Sequence, residues 1–393
     1  MKVFLSTLGS AGDIVTFARL ADLLAGRGHS VTVHTWPHYH RWFSDRVQTL
    51  ATAHSVNADQ LHTTLAQALA MPTPWDQIRH FATRFYGIDQ GDDRARQTFE
   101  VTSDAAAGHD LAVCNVLDLW GQAAVTKLGL PWFSWGSRPP PSAADTDGPE
   151  ALGPLDAELQ AWIRTAIGLE MPHFRTFRTR SPHGDLAACS PALSPSDAVD
   201  HQLTLTGAWL DPSPTVPLSP GLAAFVDAGP TLLITFGTLP DSDDRTEHLI
   251  RAAQAARWRV VAQVLPPSKA PVSRDGLYVV RGRVHYPTLL SRISAVVHHG
   301  GAGTLHEIVR AGKPSVAMPH ISDQYFWAHA AFKLGLGPVP LGAHERNLET
   351  LRARLAALRH RRYTLAAKAL APVLAAEDGA MTTVRTLEAH ARF

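Results

Sequence analysis

The sequence predicts an α/β protein of two domains, each a parallel β-sheet with helices packed on its faces. Three observations carry this prediction. Short apolar, β-branched runs alternate with helix-length patterns, first from residue 2 and again from residue 231. One run in each series ends in a glycine-rich corner that opens a helix, at 9–13 and at 300–304. The most proline-dense stretch, 211–220, separates the two series, and 393 residues suffice for two domains with substantial cores.

The first domain is expected over residues 1–210. The run Lys2-Val-Phe-Leu-Ser-Thr7 is too short for a secretory signal and reads as the first buried strand; Gly9-Ser-Ala-Gly-Asp13 turns out of it. A helical pattern over 14–26, closed by Gly28, leads to a second strand at 30–36. Such a βαβ unit crosses over right-handedly. Asp13 then stands where the first strand hands over to the first helix, on the side of the sheet where ligands gather. Residues 37–110 read mainly as helices and loops. With Trp36, they bring together His38, His40, Trp42, Trp75, His80, Phe81, Phe85 and Tyr86, which suit an acceptor cleft or an ordinary core equally. His34, His38 and His40 flank Pro37 without metal-ligand spacing, so a solvated loop is the preferred reading.

Strand patterns at 110–115 and 131–135 follow, joined by a helical stretch over 117–127. Residues 136–154, rich in Pro, Ser, Ala, Asp and Gly, read as a mobile loop that could lie over a bound acceptor. Further strands are expected at 186–190 and 203–205, and residues 211–229 are read as the linker. In the second domain, 230–376, strands are expected at 231–238, 259–265, 277–280, 295–297 and 313–319. Asp241, Asp243 and Asp244 show a spacing used by metal-dependent sugar transferases, but in a polar loop after Pro240 they read as loop and helix cap. Residues 377–393 read as one amphipathic helix.

The corner His298-His-Gly-Gly-Ala-Gly-Thr304 is the chemical centre of the sequence. Glycines let a backbone approach a ligand, and the opening N–H groups and dipole of the following helix favour an anion, most naturally a phosphate. It is not a dinucleotide fingerprint, because His306 stands where the third glycine belongs, nor a P-loop, because no Gly-Lys-Ser/Thr follows. It offers the imidazole of His299 and the hydroxyl of Thr304, with the carboxylate of Glu307 about one helical turn on. Asp323 and Gln324 follow the next strand; a carboxylate beside an amide suits vicinal sugar hydroxyls, and also suits a helix cap.

Composition narrows the class. With 45% hydrophobic and 18% charged residues the chain reads as soluble and globular, with no stable membrane insertion. A net charge of +1 gives no electrostatic case for nucleic acid or an anionic membrane. Cys114 and Cys189 lie in separate apolar runs and form no disulfide or metal framework, which fits a cytoplasmic monomer or homodimer.

Residues 280–341, with His298-His-Gly-Gly-Ala-Gly-Thr304 and Ser322-Asp-Gln-Tyr-Phe-Trp327, resemble the nucleotide-sugar signature of the GT-B glycosyltransferases of family 1, the UDP-glycosyltransferase superfamily. The likeness is greatest to bacterial sterol and antibiotic glycosyltransferases, and it returns at Gly12-Asp13-Ile14. The resemblance implies the GT-B fold, two Rossmann-like domains with parallel sheets facing across a cleft, and a last helix that crosses back to the first domain. It implies that His299, Gly300, Gly301, Gly303 and Thr304 bind the donor phosphates, that Glu307 takes the ribose, and that Thr238 lies near the nucleotide. Asp323 and Gln324 would bind the sugar. Asp13 would be the catalytic base, since it stands where plant members carry a histidine. Asn115, where those members carry the aspartate that polarises the histidine, would orient it.

This sequence also departs from the family pattern. The residue that usually stacks on the base falls on Arg281, and its partner glutamine on Val284; a guanidinium can also stack on a base. Gly303 replaces an asparagine donor, and Thr16 a proline. The implied function is an inverting O-glycosyltransferase that needs no metal and no cofactor. It would move a hexose from a UDP- or dTDP-sugar to a hydroxyl of a lipophilic small molecule, a natural product or sterol-like compound. The alternative is a non-catalytic nucleotide-sugar-binding or activator protein of the same fold, in which Asp13 only caps its helix. An NAD-dependent oxidoreductase would need a glycine fingerprint that neither corner supplies.

Overall fold

The computed structural model describes residues 1–71, 74–139, 153–171, 181–194, 203–210, 216–239, 245–264, 272–274 and 276–390. The chain divides into two compact units. The first comprises Met1–Ala188, Ser196–Gly207 and Asp378–Phe393, and the second Cys189–Pro195 and Ala208–Glu377. Residues 140–152 of the loop expected over 136–154, the acidic stretch 241–244 and residues 211–215 of the expected linker lie outside the described residues.

In the first unit the strands are β1 (Lys2–Ser6), β2 (Ser30–Thr35), β3 (Gln48–Ala51), β4 (Leu111–Asn115), β5 (Trp132–Gly136), β6 (Asp185–Ala187) and β7 (Leu203–Leu205). Among the described residues they form one parallel sheet in the order β3-β2-β1-β4-β5-β6-β7. Every residue of β4 and β5, and all of β1 after Lys2, is buried, as in a sheet covered on both faces. Connections run outward in both directions from β1 and β4, so the turns after these two strands flank the topological switch point.

In the second unit the strands are β8 (Thr231–Thr235), β9 (Arg259–Val264), β10 (Val272–Arg274), β11 (Leu277–Arg281), β12 (Ala295–His298) and β13 (Ser315–Ala317). Their order is β10-β11-β9-β8-β12-β13, parallel except for the antiparallel edge strand β10. Here the switch point falls between β8 and β12. The short edge strands β3 and β10 were not expected from the sequence, because three or four residues carry too little periodicity to read.

One segment differs from expectation. Within the stretch read as linker, Pro220–Asp227 is a helix; it begins with proline at its first position, where a missing N–H does no harm, and its Leu222, Phe225 and Val226 join Leu233 and Val261 of the second sheet in one core. The C-terminal helix, Gly379–His390, packs on the helix Ala11–Gly26 within the first unit. Val384 and Leu387 are fully buried there, worth about 1.5–3 kcal/mol each. Arg27 holds Glu388 through two hydrogen bonds of 2.7 and 2.9 Å, and Arg19 reaches Asp378 at 3.3 Å. Exposed ion pairs of this kind add little, so apolar burial sets the strength of the docking.

Candidate functional site

The glycine corner lies at the second unit's switch point. The register of β8 and β12 places Thr235 opposite His298, so the turn after β8 lies beside the turn after β12. Three backbone approaches leave no room for side chains there. A Cβ on Gly300, whose φ is +90°, would meet the carbonyl oxygen of Gln324 at 2.7 Å. One on Gly301 would meet His299 Nε2 at 2.3 Å, and one on Gly237, at φ +59°, would meet His299 Cε1 at 2.9 Å. The corner thus seats the His299 ring between Gly237 and Gly301 and rests on the start of the helix Gln324–Lys333. Gly303 is different: a Cβ there meets nothing within 4 Å. The helix Ala302–Arg310 follows with Gly301 as N-cap, no side-chain cap and no acidic residue in its first turn. Its opening N–H groups are therefore spent on no side chain of their own turn, which is the arrangement that binds an anion.

Around the corner lies a set of buried imidazoles. His298 Nδ1 accepts from the Gly300 N–H at 3.1 Å, and His320 Nδ1 donates to the Met318 carbonyl at 2.6 Å, so each ring is fixed in one neutral tautomer. Burial lowers the pKa of His298 and of His320 to about 3. His299 keeps part of its surface exposed, yet its Nδ1 is buried without a hydrogen-bond partner. Desolvation first, and then the charge of Arg245, bring its pKa to about 4. Arg245 lies with its guanidinium 3.7 Å from the Phe236 ring centroid, and its Nη1 donates to His320 Nε2 at 3.1 Å. No sequence pattern pointed to Arg245 or His320. Arg245 opens a helix after a stretch of polar sequence, and only the fold brings it to His299.

The residues expected to bind ribose and sugar are present, with altered chemistry. Glu307 is buried on the Ala302–Arg310 helix, and its Oε2 accepts from Arg310 Nη2, so it meets a ligand only by sharing or leaving that partner. Gln324 Oε1 accepts from the backbone N–H groups of His320 at 2.8 Å and Ile321 at 3.2 Å. Its oxygen is committed to the turn, and the amide nitrogen is left as the end that can serve a ligand. Asp323 caps the same helix by position, without a side-chain cap bond, and follows Ser322, held at φ +55°. Thr304 is half-buried in the first turn of its own helix, and Thr238 is exposed in the turn after β8.

Arg281 ends β11 farther along the same sheet edge, and Val284 follows it. Arg281 Nε is buried without a partner, whereas Val284 packs against the Leu289 and Leu290 core. Beside them Thr235 Oγ1, Tyr286 Oη and Gln263 Oε1 lie 2.8 to 2.9 Å apart in a triangle. Gln263 Nε2 donates to the Gly282 carbonyl at 2.8 Å, which ties down the turn that carries Val284. This network joins the ends of β8 and β9 to the turn after β11 and the start of the next helix, and it left no local signal in the sequence.

In the first unit, Asp13 closes the first turn of the Ala11–Gly26 helix. Its Oδ2 accepts from the Ser10 N–H at 2.9 Å and from Ser10 Oγ at 3.0 Å. Gly9, at φ +137°, allows this, since a Cβ there would stand 2.5 Å from Asp13 Oδ2. Asn115 donates its amide to Thr7 Oγ1 at 3.3 Å, and its oxygen accepts from the Leu117 N–H at 2.8 Å, which fixes it in the turn after β4. Nearby Asp118, wholly buried, accepts from Ser6 Oγ at 2.5 Å and the Gly121 N–H at 2.9 Å; burial raises its pKa to about 6. Trp36, Phe85 and Tyr86 belong to the core with Leu8 and Ile14, while Trp42 and Phe81 are only partly buried against it. Tyr39 Oη donates to the Gly9 carbonyl at 3.2 Å, linking this aromatic cluster to the Asp13 turn.

Among the described residues no group of three or more His, Cys, Asp or Glu could hold a metal ion, and no helix is long and apolar enough to cross a membrane. Residues 275–389 match the C-terminal domain family described as erythromycin biosynthesis protein CIII-like. Over 387 residues the chain is 30% identical to glycosyltransferase GtfE of Amycolatopsis orientalis, covering 91% of this chain and 89% of that protein. It is 29% identical to the vancomycin aglycone glucosyltransferase of the same organism, again over 91% and 89%. Among solved structures it is similar to spinosyn rhamnosyltransferase SpnG complexed with thymidine diphosphate, with TM-score 0.67, 19% identity, and 99% and 100% of the two chains covered. The chain is a nucleotide-sugar-dependent glycosyltransferase and belongs to the GT-B glycosyltransferases of family 1.

Proposed function

We propose that the protein is an inverting, metal-independent O-glycosyltransferase that moves a hexose from a UDP- or dTDP-sugar to a hydroxyl of a lipophilic small molecule. The observation that carries this reading is the uncapped start of the Ala302–Arg310 helix behind a corner too tight for side chains at Gly300 and Gly301. A diphosphate there meets backbone N–H groups, the Thr304 hydroxyl and the His299 imidazole, which is neutral at physiological pH and donates one N–H. These donors neutralise charge on the leaving group in the way a metal would elsewhere. Asp323 accepts from the sugar hydroxyls, Gln324 donates through its amide nitrogen, and Glu307 exchanges Arg310 for the ribose. The guanidinium of Arg281 stacks on the base. The relatives' names support a natural-product acceptor, and the thymidine diphosphate bound to SpnG supports a dTDP-linked donor.

In the reaction the acceptor oxygen attacks the anomeric carbon, the bond from that carbon to the β-phosphate oxygen breaks, and the acceptor proton passes to Asp13. One displacement inverts the anomeric centre. The hydrogen bonds from Ser10 fix the Asp13 carboxylate in place before the acceptor arrives. They also fit a role for Asp13 as a cap only, with the base elsewhere. Thermal-shift titration with UDP, dTDP and GDP tests the donor: a ligand at a hundred times its Kd stabilises by about 2.7 kcal/mol. NMR of the product's anomeric configuration, with and without EDTA, tests inversion and metal independence. A product of retained configuration refutes the single displacement, and loss of transfer in EDTA refutes metal independence.

A further inference from the structure

The chain passes between its two units after residues 188, 195, 207 and 377. Residues next to three of these crossings meet on one carboxylate. Glu377 Oε1 accepts from Ser190 Oγ at 2.7 Å, and its Oε2 accepts from the Ala208 N–H at 2.7 Å. The Ser190 N–H in turn donates to His306 Nε2 at 3.0 Å, and His306 Nδ1 donates to the Ala302 carbonyl at 2.7 Å. His306 is buried, and its ring lies edge-on to Trp327 at 5.2 Å, on the helix that begins at Gln324. Burial holds its pKa near 4, so at neutral pH the ring donates at one nitrogen and accepts at the other.

The chemistry of this chain of bonds has a direction. The Ala302 carbonyl and the Gly303 N–H belong to one peptide unit, and Gly303 lies in the first turn of the proposed phosphate site. A phosphate oxygen that accepts from the Gly303 N–H polarises that unit and makes the Ala302 carbonyl a better acceptor. The His306 Nδ1–H bond tightens, Nε2 gains electron density, and the Ser190 N–H bond tightens with it. Ser190 passes the constraint through its hydroxyl to Glu377, and Glu377 passes it to Ala208.

We propose that His306, Ser190 and Glu377 are positioning residues that tie the chain crossings to the donor helix, so that a nucleotide seated at Ala302–Arg310 rigidifies the segments leading to the unit that carries Asp13. This rests on the donor site proposed above. It gives Glu377 a role distinct from a surface staple, because its partners lie 169 and 187 residues away and lead to the phosphate-binding turn.

Hydrogen–deuterium exchange of the full chain with and without thymidine diphosphate, read together with transfer kinetics, tests this. In the unaltered protein the nucleotide slows exchange at least fivefold at residues 299–304 and also at Ser190 and Ala208. Glu377→Gln keeps nucleotide affinity within threefold, loses the protection at Ala208, and lowers kcat at least tenfold with little change in the donor KM. His306→Phe, similar in shape but without ring nitrogens, loses the protection at Ser190. Protection at 299–304 that never extends to Ser190 and Ala208 overturns the relay and leaves the donor site standing. No protection at 299–304 with either thymidine or uridine diphosphate overturns the donor site and the relay together. A Glu377→Gln protein with unchanged kcat, or one whose melting temperature, affinity and kcat fall in parallel, makes Glu377 dispensable or merely structural, and the proposal fails.

Discussion

Each unit places a strand, a glycine turn and a helix at its switch point, yet the two turns end in opposite chemistry. After β1 the helix start carries its own carboxylate: Asp13 accepts from Ser10 and faces the positive end of the helix dipole. After β12 the helix start has neither an acid in its first turn nor a side-chain cap, and its neighbours are neutral imidazoles and a buried guanidinium. One corner brings an anion of its own; the other leaves its helix start without one. The difference teaches that glycine spacing alone does not define an anion site. What decides is whether the first turn already holds a carboxylate.

The largest effect expected from breaking this contrast is on Asp13. Asp13→Asn keeps an acceptor for Ser10 and removes the base, so transfer should fall about 10²–10⁴-fold while calorimetry finds nucleotide affinity unchanged. Full activity in that variant would make Asp13 a helix cap only and place the base elsewhere.

Acid separates the units next. His298, His299, His306 and His320 have folded-state pKa values of about 3 to 4 against an ordinary 6.5. Their contribution is therefore complete above pH 6.5 and drains away as pH falls toward 4, each withdrawing at most about 1.4 kcal/mol per pH unit. Asp118 of the first unit, raised to about 6, acts in the opposite sense: its burial penalty is fully present above pH 6 and relaxes as pH falls toward the ordinary carboxylate value. His34, at about 4, tempers that advantage. Exchange measured at pH 7 and pH 5 should show β12 and its flanking helices opening before β1 and β4.

Smaller effects come from the glycines. Gly300→Ala combines a positive φ with a 2.7 Å clash against a backbone carbonyl and should destabilise by on the order of 2–3 kcal/mol in a urea melt. Gly303→Ala should do the reverse. Its Cβ meets open space, and alanine gains about 0.5–1 kcal/mol in a helix, so the melting temperature should hold or rise while thymidine diphosphate binding weakens. If binding is also unaffected, the ligand does not approach Gly303.

Most of this framework was legible in the sequence, because it is written in local patterns. Buried parallel strands appear as apolar runs, and the corners appear as glycines between a strand and a helix. What escaped was set by partners distant in the chain. The sequence offers Gln324 as a sugar ligand, but not the hold of the His320 and Ile321 N–H groups on its oxygen, which leaves the amide nitrogen for a ligand. Nor does the sequence offer Thr7 and Leu117 as partners of Asn115. Asp118, Arg245 and the Thr235–Gln263–Tyr286 triangle carry no spacing of their own; they matter because separate strand ends converge. Residues 189–195 cluster with the second unit, where Ser190 meets His306 and Glu377, more than a hundred residues away in the chain.

The helix Gly379–His390 has a consequence for how the molecule is made. The face of Ala11–Gly26 that it covers is synthesised long before the helix itself. During synthesis that face waits, uncovered, through the whole of the second unit. The first unit is therefore expected to associate with chaperones until Gly379–His390 has been made, and a variant lacking this helix should leave the face open to aggregation.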